Sequence, residues 1–352
     1  MIPLDTIVRI IGFVIHPLTV MAVISPFVSP HIFWWVALPA LFFPFLVGAE
    51  GLLFAYLLLR KKKDAYIPAL VLVLSLTAIP KLVAFRLPNA NMEEGGIRVV
   101  SYNLQTLWAL PPGPEGLESV KEFFKEADPD VVCIQEASSR SDNGQALSHF
   151  ISKTLGLNEV YRLPGNNSLI TYSRFPIRKA SGKVFENGLN GYQVVDLEIR
   201  GNLVRVFNAH LQTNKVTDAT KRILGEGQLR RSQTWKDIVE VIRRYGEAVR
   251  KRADQAQLLA ESLRKCPYPV IFCGDLNDTP LSYATTRITA ALNDGFLEGG
   301  SGWGSTFRGA LPGLRIDYLM TTPDLAVVDY EIRCNSFSDH CAVIGVVRDI
   351  QP

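Results

Sequence analysis

Asp275 and Asn277 stand two residues apart at the end of the apolar run Val270–Cys273, a pattern able to hold a phosphate, an attacking water and a hard metal ion. Four consecutive apolar residues read as a strand buried on both faces, and Gly274 lets its backbone approach a neighbour closely just before the carboxylate. Taken alone, the segment is equally an Asx-rich turn. Other strand ends carry matching chemistry, however. The run 98–103 ends in Asn103, 130–136 in Glu136 and 203–210 in His210, while Asp317 follows Arg315 and Ile316, and Ser338, Asp339 and His340 close the series. Such oxygen donors suit Mg²⁺, with Mn²⁺ as its substitute, because a hard ion that keeps its waters needs only a carboxylate or two beside a substrate phosphate. Two histidines with carboxylate neighbours add acid and base capacity near neutral pH. The set contains no nucleophilic Ser or Cys beside a base, so direct attack by water on a phosphate ester is the chemistry expected.

These groups need elements to position them. Short apolar runs predict strands over Ile97–Tyr102, Val131–Gln135, Ser168–Tyr172, Tyr192–Glu198, Leu203–Asn208, Val270–Cys273, Asp317–Met320, Asp329–Arg333 and Ala342–Val347. Helical patterns cover Leu117–Glu126, Gln145–Leu155, most of Gln228–Arg264 and Tyr283–Ala291. So many strands with interspersed helices predict an α/β domain of two packed sheets flanked by helices.

The residues before Ile97 are of another kind. Ile10–Ala49 contains no Asp, Glu, Lys or Arg, about twice the length one spanning helix needs, and the prolines Pro26 and Pro30 mark a turn between two spans. A third apolar run, 65–84, follows the basic cluster Arg60–Lys63. A cleaved signal peptide does not fit, because two further apolar runs follow and no small-residue cleavage site is present. We therefore expect a transmembrane anchor of about three helices over 1–86, a polar linker over 87–96 and a catalytic domain over 97–352. Glu50, inside the second run, is expected to reach an interface. Short basic loops stay in the cytoplasm, which puts everything after Leu87 on the extracytoplasmic side if all three runs span.

Asn103, Gln135 with Glu136, His210, Gly274 to Asn277, Arg315 to Tyr318 and Ser338 to His340 occur in the order of the motifs of the endonuclease/exonuclease/phosphatase superfamily, which the chain resembles from about Ile97 onward. The resemblance implies a four-layer α/β sandwich of two mixed sheets with the site at one end. It implies Glu136 as principal metal ligand, with Asn103 and Asp339 nearby, and Asp275 and Asn277 orienting the water and the scissile phosphate. His340, held by Asp317, and His210 would flank that phosphate. In this family the abasic-site endonucleases lack a histidine at the position of His210, so the resemblance points instead to the deoxyribonuclease, sphingomyelinase and inositol-phosphatase branches.

Arg174 reads either as a contact to a substrate phosphate or as a structural ion-pair partner. Trp303 reads as a substrate or headgroup contact, or as a cap on the core. In the long helix, Trp235, Ile238, Val239 and Ile242 are expected to pack on the body. The other face, with Arg230, Arg231, Lys236, Arg243, Arg244, Arg250, Lys251 and Arg252, is either solvated or meets headgroups or a nucleic-acid backbone. Cys133 and Cys273 read as core residues, and Cys334 and Cys341 are able to pair in an oxidising compartment. A linker of about ten residues spans at most ~35 Å, so the domain stays near the bilayer and lipid or lipid-linked esters are favoured over a soluble polymer. A tethered nuclease acting on DNA or RNA is the alternative, and a non-enzymatic interaction domain on the same fold the lesser one.

Overall fold

The computed structural model describes residues 3–85 and 95–349, except 108–109, 111–113, 138–140, 166–167, 187, 215–231, 310 and 312. Most of the expected linker, the start of the long helix at Gln228, and Arg230 and Arg231 therefore lie outside the described residues.

In chain order the strands are β1 (Val83–Phe85), β2 (Ile97–Asn103), β3 (Val131–Gln135), β4 (Glu159–Arg162), β5 (Ile170–Ser173), β6 (Ile177–Val184), β7 (Gly191–Ile199), β8 (Asn202–His210), β9 (Val270–Asp275), β10 (Asn293–Asp294), β11 (Ser301–Trp303), β12 (Asp317–Thr321), β13 (Leu325–Cys334) and β14 (Cys341–Asp349). Twelve of them form two six-stranded sheets, ordered β13-β14-β2-β3-β5-β4 and β10-β12-β9-β8-β7-β6, and β1 and β11 form a separate two-stranded one. Each sheet is mixed, with one parallel pair among antiparallel neighbours: β2 with β3, and β8 with β9. A parallel pair needs a crossover, and the helices Pro114–Ala127 and Ser232–Arg264 supply the two crossovers.

Alternation along the strands builds the layers. Val99, Val131, Cys133 and Val343 meet Val206, Ile271, Cys273 and Leu319 between the sheets. Their neighbours Val100, Tyr102, Val132 and Ile134 pack beneath Leu117, Val120 and Phe124 of the first crossover helix. On the far side Phe207, Phe272 and Tyr318 pack beneath Ala256, Leu259 and Leu263 of the second, and Ile288 of helix Tyr283–Thr289. The result is the expected four-layer α/β sandwich.

Leu4–Phe27, Pro30–Leu59 and Lys63–Lys81 are each long and apolar enough to cross a membrane. The second is broken: short turns occupy 30–42 before a continuous helix over Phe43–Leu59, and Pro39 and Pro44 sit in the first turns of their segments, where a missing N–H costs nothing. At one end of the three helices Asp5 pairs with Lys62 at 2.7 Å and Arg9 with Asp64 at 2.7 Å. Glu50 does not reach an interface as expected. It is fully buried between helices, within 2.9 Å of His16 Nδ1, and accepts from the Thr19 hydroxyl at 3.2 Å; a carboxylate inside an apolar bundle persists only with such partners.

The sandwich docks on the opposite end of these helices. The Tyr245 hydroxyl donates to the Ala37 carbonyl at 3.1 Å, Trp34 lies against Gly246, Arg315 donates to the Lys81 carbonyl at 2.8 Å, and β1 pairs with β11. Here the long helix departs from expectation. Trp235 and Val239 are 55% and 63% exposed instead of packing on the body. They share a helical face with Gly246 and Val249, so that stripe is turned toward the side of the N-terminal helices, while the body is met by Ala256, Leu259 and Leu263 further along.

Candidate active site

Parallel strands β2, β3, β8 and β9 end where antiparallel β12 and β14 begin, so one edge of the sandwich collects polar residues from both sheets. In register, His210 lies opposite Asp275 and Asp275 opposite Asp317 in one sheet, and Asn103 opposite Gln135 in the other. Asn103 joins the two sheets: its amide donates to Asp275 Oδ2 at 2.9 Å and lies 3.4 Å from Glu136 Oε1. Gly274 permits the close approach read from the sequence, since a Cβ there would sit 2.3 Å from the Ala209 carbonyl oxygen.

Glu136 and Asn277 hold left-handed backbone, at φ 52° and 51°, as does Gln105 at 46°. Such conformations are costly for residues with side chains and collect at functional sites. Gln105 was not apparent from the sequence, which offers no signal for it beyond its closeness to Asn103. Its backbone N–H donates to Asn103 Oδ1 at 2.9 Å and its side chain to Asp339 Oδ2 at 3.0 Å, tying β2 to the loop before β14. That loop is closed by a disulfide between Cys334 and Cys341. Ser338 fixes it further, donating to the Asn103 carbonyl at 2.8 Å and accepting from the His340 N–H at 3.1 Å.

His340 Nδ1 lies 3.0 and 3.1 Å from the two Asp317 oxygens, so its Nε2 faces the site, 3.9 Å from Asp275 Oδ2. Asp317 is positioned in turn by Thr306, whose hydroxyl accepts from the N–H groups of Ile316 and Asp317. Burial disfavours the charged His340 ring, but the Asp317 and Asp275 charges and the hydrogen bond to Asp317 outweigh it, holding His340 up to about 10. Burial, then the Asp317 charge, push the Asp275 carboxyl up to about 6 against the pull of His340, His210 and Asn103. His210 is buried, 3.5 Å from Glu136 Oε1 and 3.7 Å from Asp275 Oδ2, and neither ring nitrogen has a hydrogen-bond partner among the described residues. Buried imidazoles are normally satisfied, so this ring fits a ligand oxygen.

The same crowding fits a divalent cation. Asp275, Asp317 and His340 bring ligand atoms within 4.8 Å of one another, and Glu136 and Asp339 remain 28% and 33% exposed on the open side. With the Asp317 oxygens engaged by His340, the exposed carboxylates of Glu136 and Asp339 are the better fit to an ion that retains waters.

Two residues stand elsewhere than expected. Arg174 pairs with Asp128 and Asp130 at the start of β3, at the end of the strand opposite to Glu136, so it cannot reach the same phosphate. Arg252 is not on a solvated or anion-binding face but fully buried. Its Nε donates to Asp278 at 2.9 Å and its Nη1 to the Gln212 carbonyl at 2.9 Å and to Asn214 at 2.8 Å, pinning the loops that follow His210 and Asn277. Arg252→Met leaves Asp278 buried and unpaired, and is expected to cost about 3 to 5 kcal/mol, seen as a lower thermal midpoint of the full-length protein. Of the remaining basic face, Arg243 and Arg244 are neutralised by Glu240, and Arg243 also pairs with Glu247.

The model of the "Endonuclease/Exonuclease/phosphatase family" matches residues 100–340, and that of a domain of unknown function (DUF8431) matches residues 5–82. None of the curated proteins matches the chain in sequence. Among solved structures, TDP2 from C. elegans is 20% identical, with 73% of this chain and 76% of that one covered at a TM-score of 0.52. Beta toxin from Staphylococcus aureus, a mutant with bound magnesium ions, is 15% identical, with 72% and 99% covered at 0.50. At these identities the likeness speaks to the fold alone.

Proposed function

Because the chain belongs to the endonuclease/exonuclease/phosphatase family, and is thus a metal-dependent phosphoester hydrolase, we propose that it is a membrane-anchored phosphodiesterase acting on lipid or lipid-linked esters. The observation that carries this reading is the packing of the site's own loop on the apolar N-terminal helices. The loop running on from Asp275 and Asn277 reaches Leu281, which packs with Ala22, Ala40, Phe43 and Ala78 of the anchor. This contact supports a reacting end held against the anchor rather than at the end of a loose tether, and a membrane-embedded substrate gains from such confinement. The paired charges on the long helix leave less basic surface for a nucleic-acid backbone.

In this reading Glu136, with Asn103 and Asp339, holds Mg²⁺ or Mn²⁺; when bound, the ion offsets charge on the phosphate oxygens. Asp275 and Asn277 orient the attacking water. His210 and the Nε2 of His340 flank the phosphate, and Asp317 keeps the His340 ring in place. Water attacks phosphorus and gives up a proton to a carboxylate or imidazole of this cluster, the bond to the leaving alcohol oxygen breaks, and one of the flanking groups delivers a proton to that oxygen. Residues 1–86 serve as anchor and 97–352 as catalytic domain. The catalytic domain lies on the extracytoplasmic side, supported by Arg60–Lys63 at the far end of the spans and by the Cys334–Cys341 bond, which suits an oxidising compartment.

The test uses the full-length enzyme in vesicles, assayed on phospholipid diesters, lipid-linked diesters and duplex DNA. We expect lipid turnover that stops in excess chelator and returns with Mg²⁺ or Mn²⁺. Efficient cleavage of DNA with no lipid ester touched would replace this reading with that of a tethered nuclease.

A further inference from the structure

A cavity of about 310 Å³ opens at the junction between the anchor and the sandwich. One wall is Ala40, Leu41, Pro44 and Phe45 of the second span, and the other is built from Thr279, Pro280 and the stretches around Trp303 and Arg315. We propose that it receives the hydrocarbon portion of the lipid whose phosphate ester is hydrolysed, so that this inference rests on the lipid-substrate reading and adds a subsite to it.

Three observations converge. First, the volume falls at the lower end of the ~300–1,000 Å³ range of ligand pockets, and its lining is predominantly apolar. Second, its anchor wall continues into the lipid-facing surface: Phe45 is 62% exposed and Phe42 39% exposed, so a chain enters from the bilayer without crossing water. Third, its other wall is the back of the catalytic loops. Thr279 is two residues beyond Asn277, Arg315 two before Asp317, and Gly304 two before the Thr306 that fixes Asp317. A span of four residues, from Asp275 to Thr279, covers at most ~14 Å. A single lipid thus reaches from cavity to site. Thr279 supplies a polar handle at the boundary: it is 5% exposed, and its hydroxyl has no hydrogen-bond partner among the described residues, which suits the oxygen-rich region between a headgroup and its chains.

Leu41→Trp fills the cavity from the anchor side, remote from the catalytic groups. The full-length enzyme in vesicles is assayed on a long-chain lipid diester and on a small water-soluble phosphodiester without chains. The variant is expected to lose about 10-fold or more in kcat/KM on the lipid while the soluble diester stays within about 2-fold. A second measurement needs no turnover: lipids brominated along their chains are expected to quench the Trp303 contribution to fluorescence, obtained as the difference between the wild type and Trp303→Phe. If Leu41→Trp loses both activities through a damaged fold, this quenching in the otherwise native enzyme decides. Unchanged lipid turnover in Leu41→Trp together with unquenched Trp303 overturns the subsite alone. A wild type that cleaves the soluble diester but no lipid overturns the substrate reading beneath it.

Discussion

Glu136→Gln in the full-length enzyme is expected to lower kcat/KM by roughly 10³-fold or more while the protein stays folded, since under the proposed assignment several kcal/mol of charge stabilisation at the phosphate depend on the ion its carboxylate would hold. The substitution keeps the shape of the side chain and removes the charge. Among the described residues Glu136 pairs with no Lys or Arg; its neighbours are the Asn103 amide at 3.4 Å and the His210 ring at 3.5 Å. Its left-handed backbone is tolerated by Gln no worse than by Glu, so the thermal midpoint should move little. Raising Mg²⁺ should restore little of the rate, because the amide offers one neutral oxygen where the ion had a charged one. A variant that retains more than a tenth of the activity would transfer the ion to Asp275 and Asp317, whose oxygens are also close together.

His340→Ala is expected to cost roughly 10²-fold or more, as removal of a positioned acid or charge-stabilising group does. The informative comparison is with Asp317→Asn and the double variant. Both Asp317 oxygens lie within 3.1 Å of His340 Nδ1, so Asp317 acts through that ring, and the double variant should be no slower than His340→Ala alone. If the two losses multiply, Asp317 contacts the ion or the substrate directly, and its role as a positioning group is lost. Near-normal rates in His340→Ala would remove the histidine from the chemistry.

The sandwich and most of its reacting edge were readable from the chain because central strands announce themselves twice, by apolar runs and by the polar residue at which each run stops. Edge strands such as β4, β6 and β10 were not, since a strand paired on one side shows weak alternation; in β6 most residues are exposed or half-exposed. Arg252 carries its own signal in the sequence. It falls four residues before Ala256 and seven before Leu259, on the apolar face of its helix, and a cation there must be buried and paired. Arg174 illustrates the reverse: guanidinium chemistry alone cannot tell which end of a strand a residue occupies, and the antiparallel pairing of β5 with β3, which sets Ser173 opposite Val131, decides it. Gln105 owes its place to a backbone turn that no periodicity encodes, and Tyr245 and Val249 in the long helix owe their burial to a neighbour, the N-terminal helices, that a reading of the helix by itself does not include.

The pairing of Val83–Phe85 with Ser301–Trp303 means that the segment following the third apolar helix shares a small two-stranded sheet with a loop of the enzyme. Anchor and enzyme are consequently not interchangeable cassettes. A recombination event that joined this sandwich to another set of spans would have to carry along Val83–Phe85, the Ala37 carbonyl that meets Tyr245 and the Lys81 carbonyl that meets Arg315, or leave apolar surface and buried donors uncovered. The two regions are tied as an inherited pair, and changes in one will be accepted only alongside matching changes in the other.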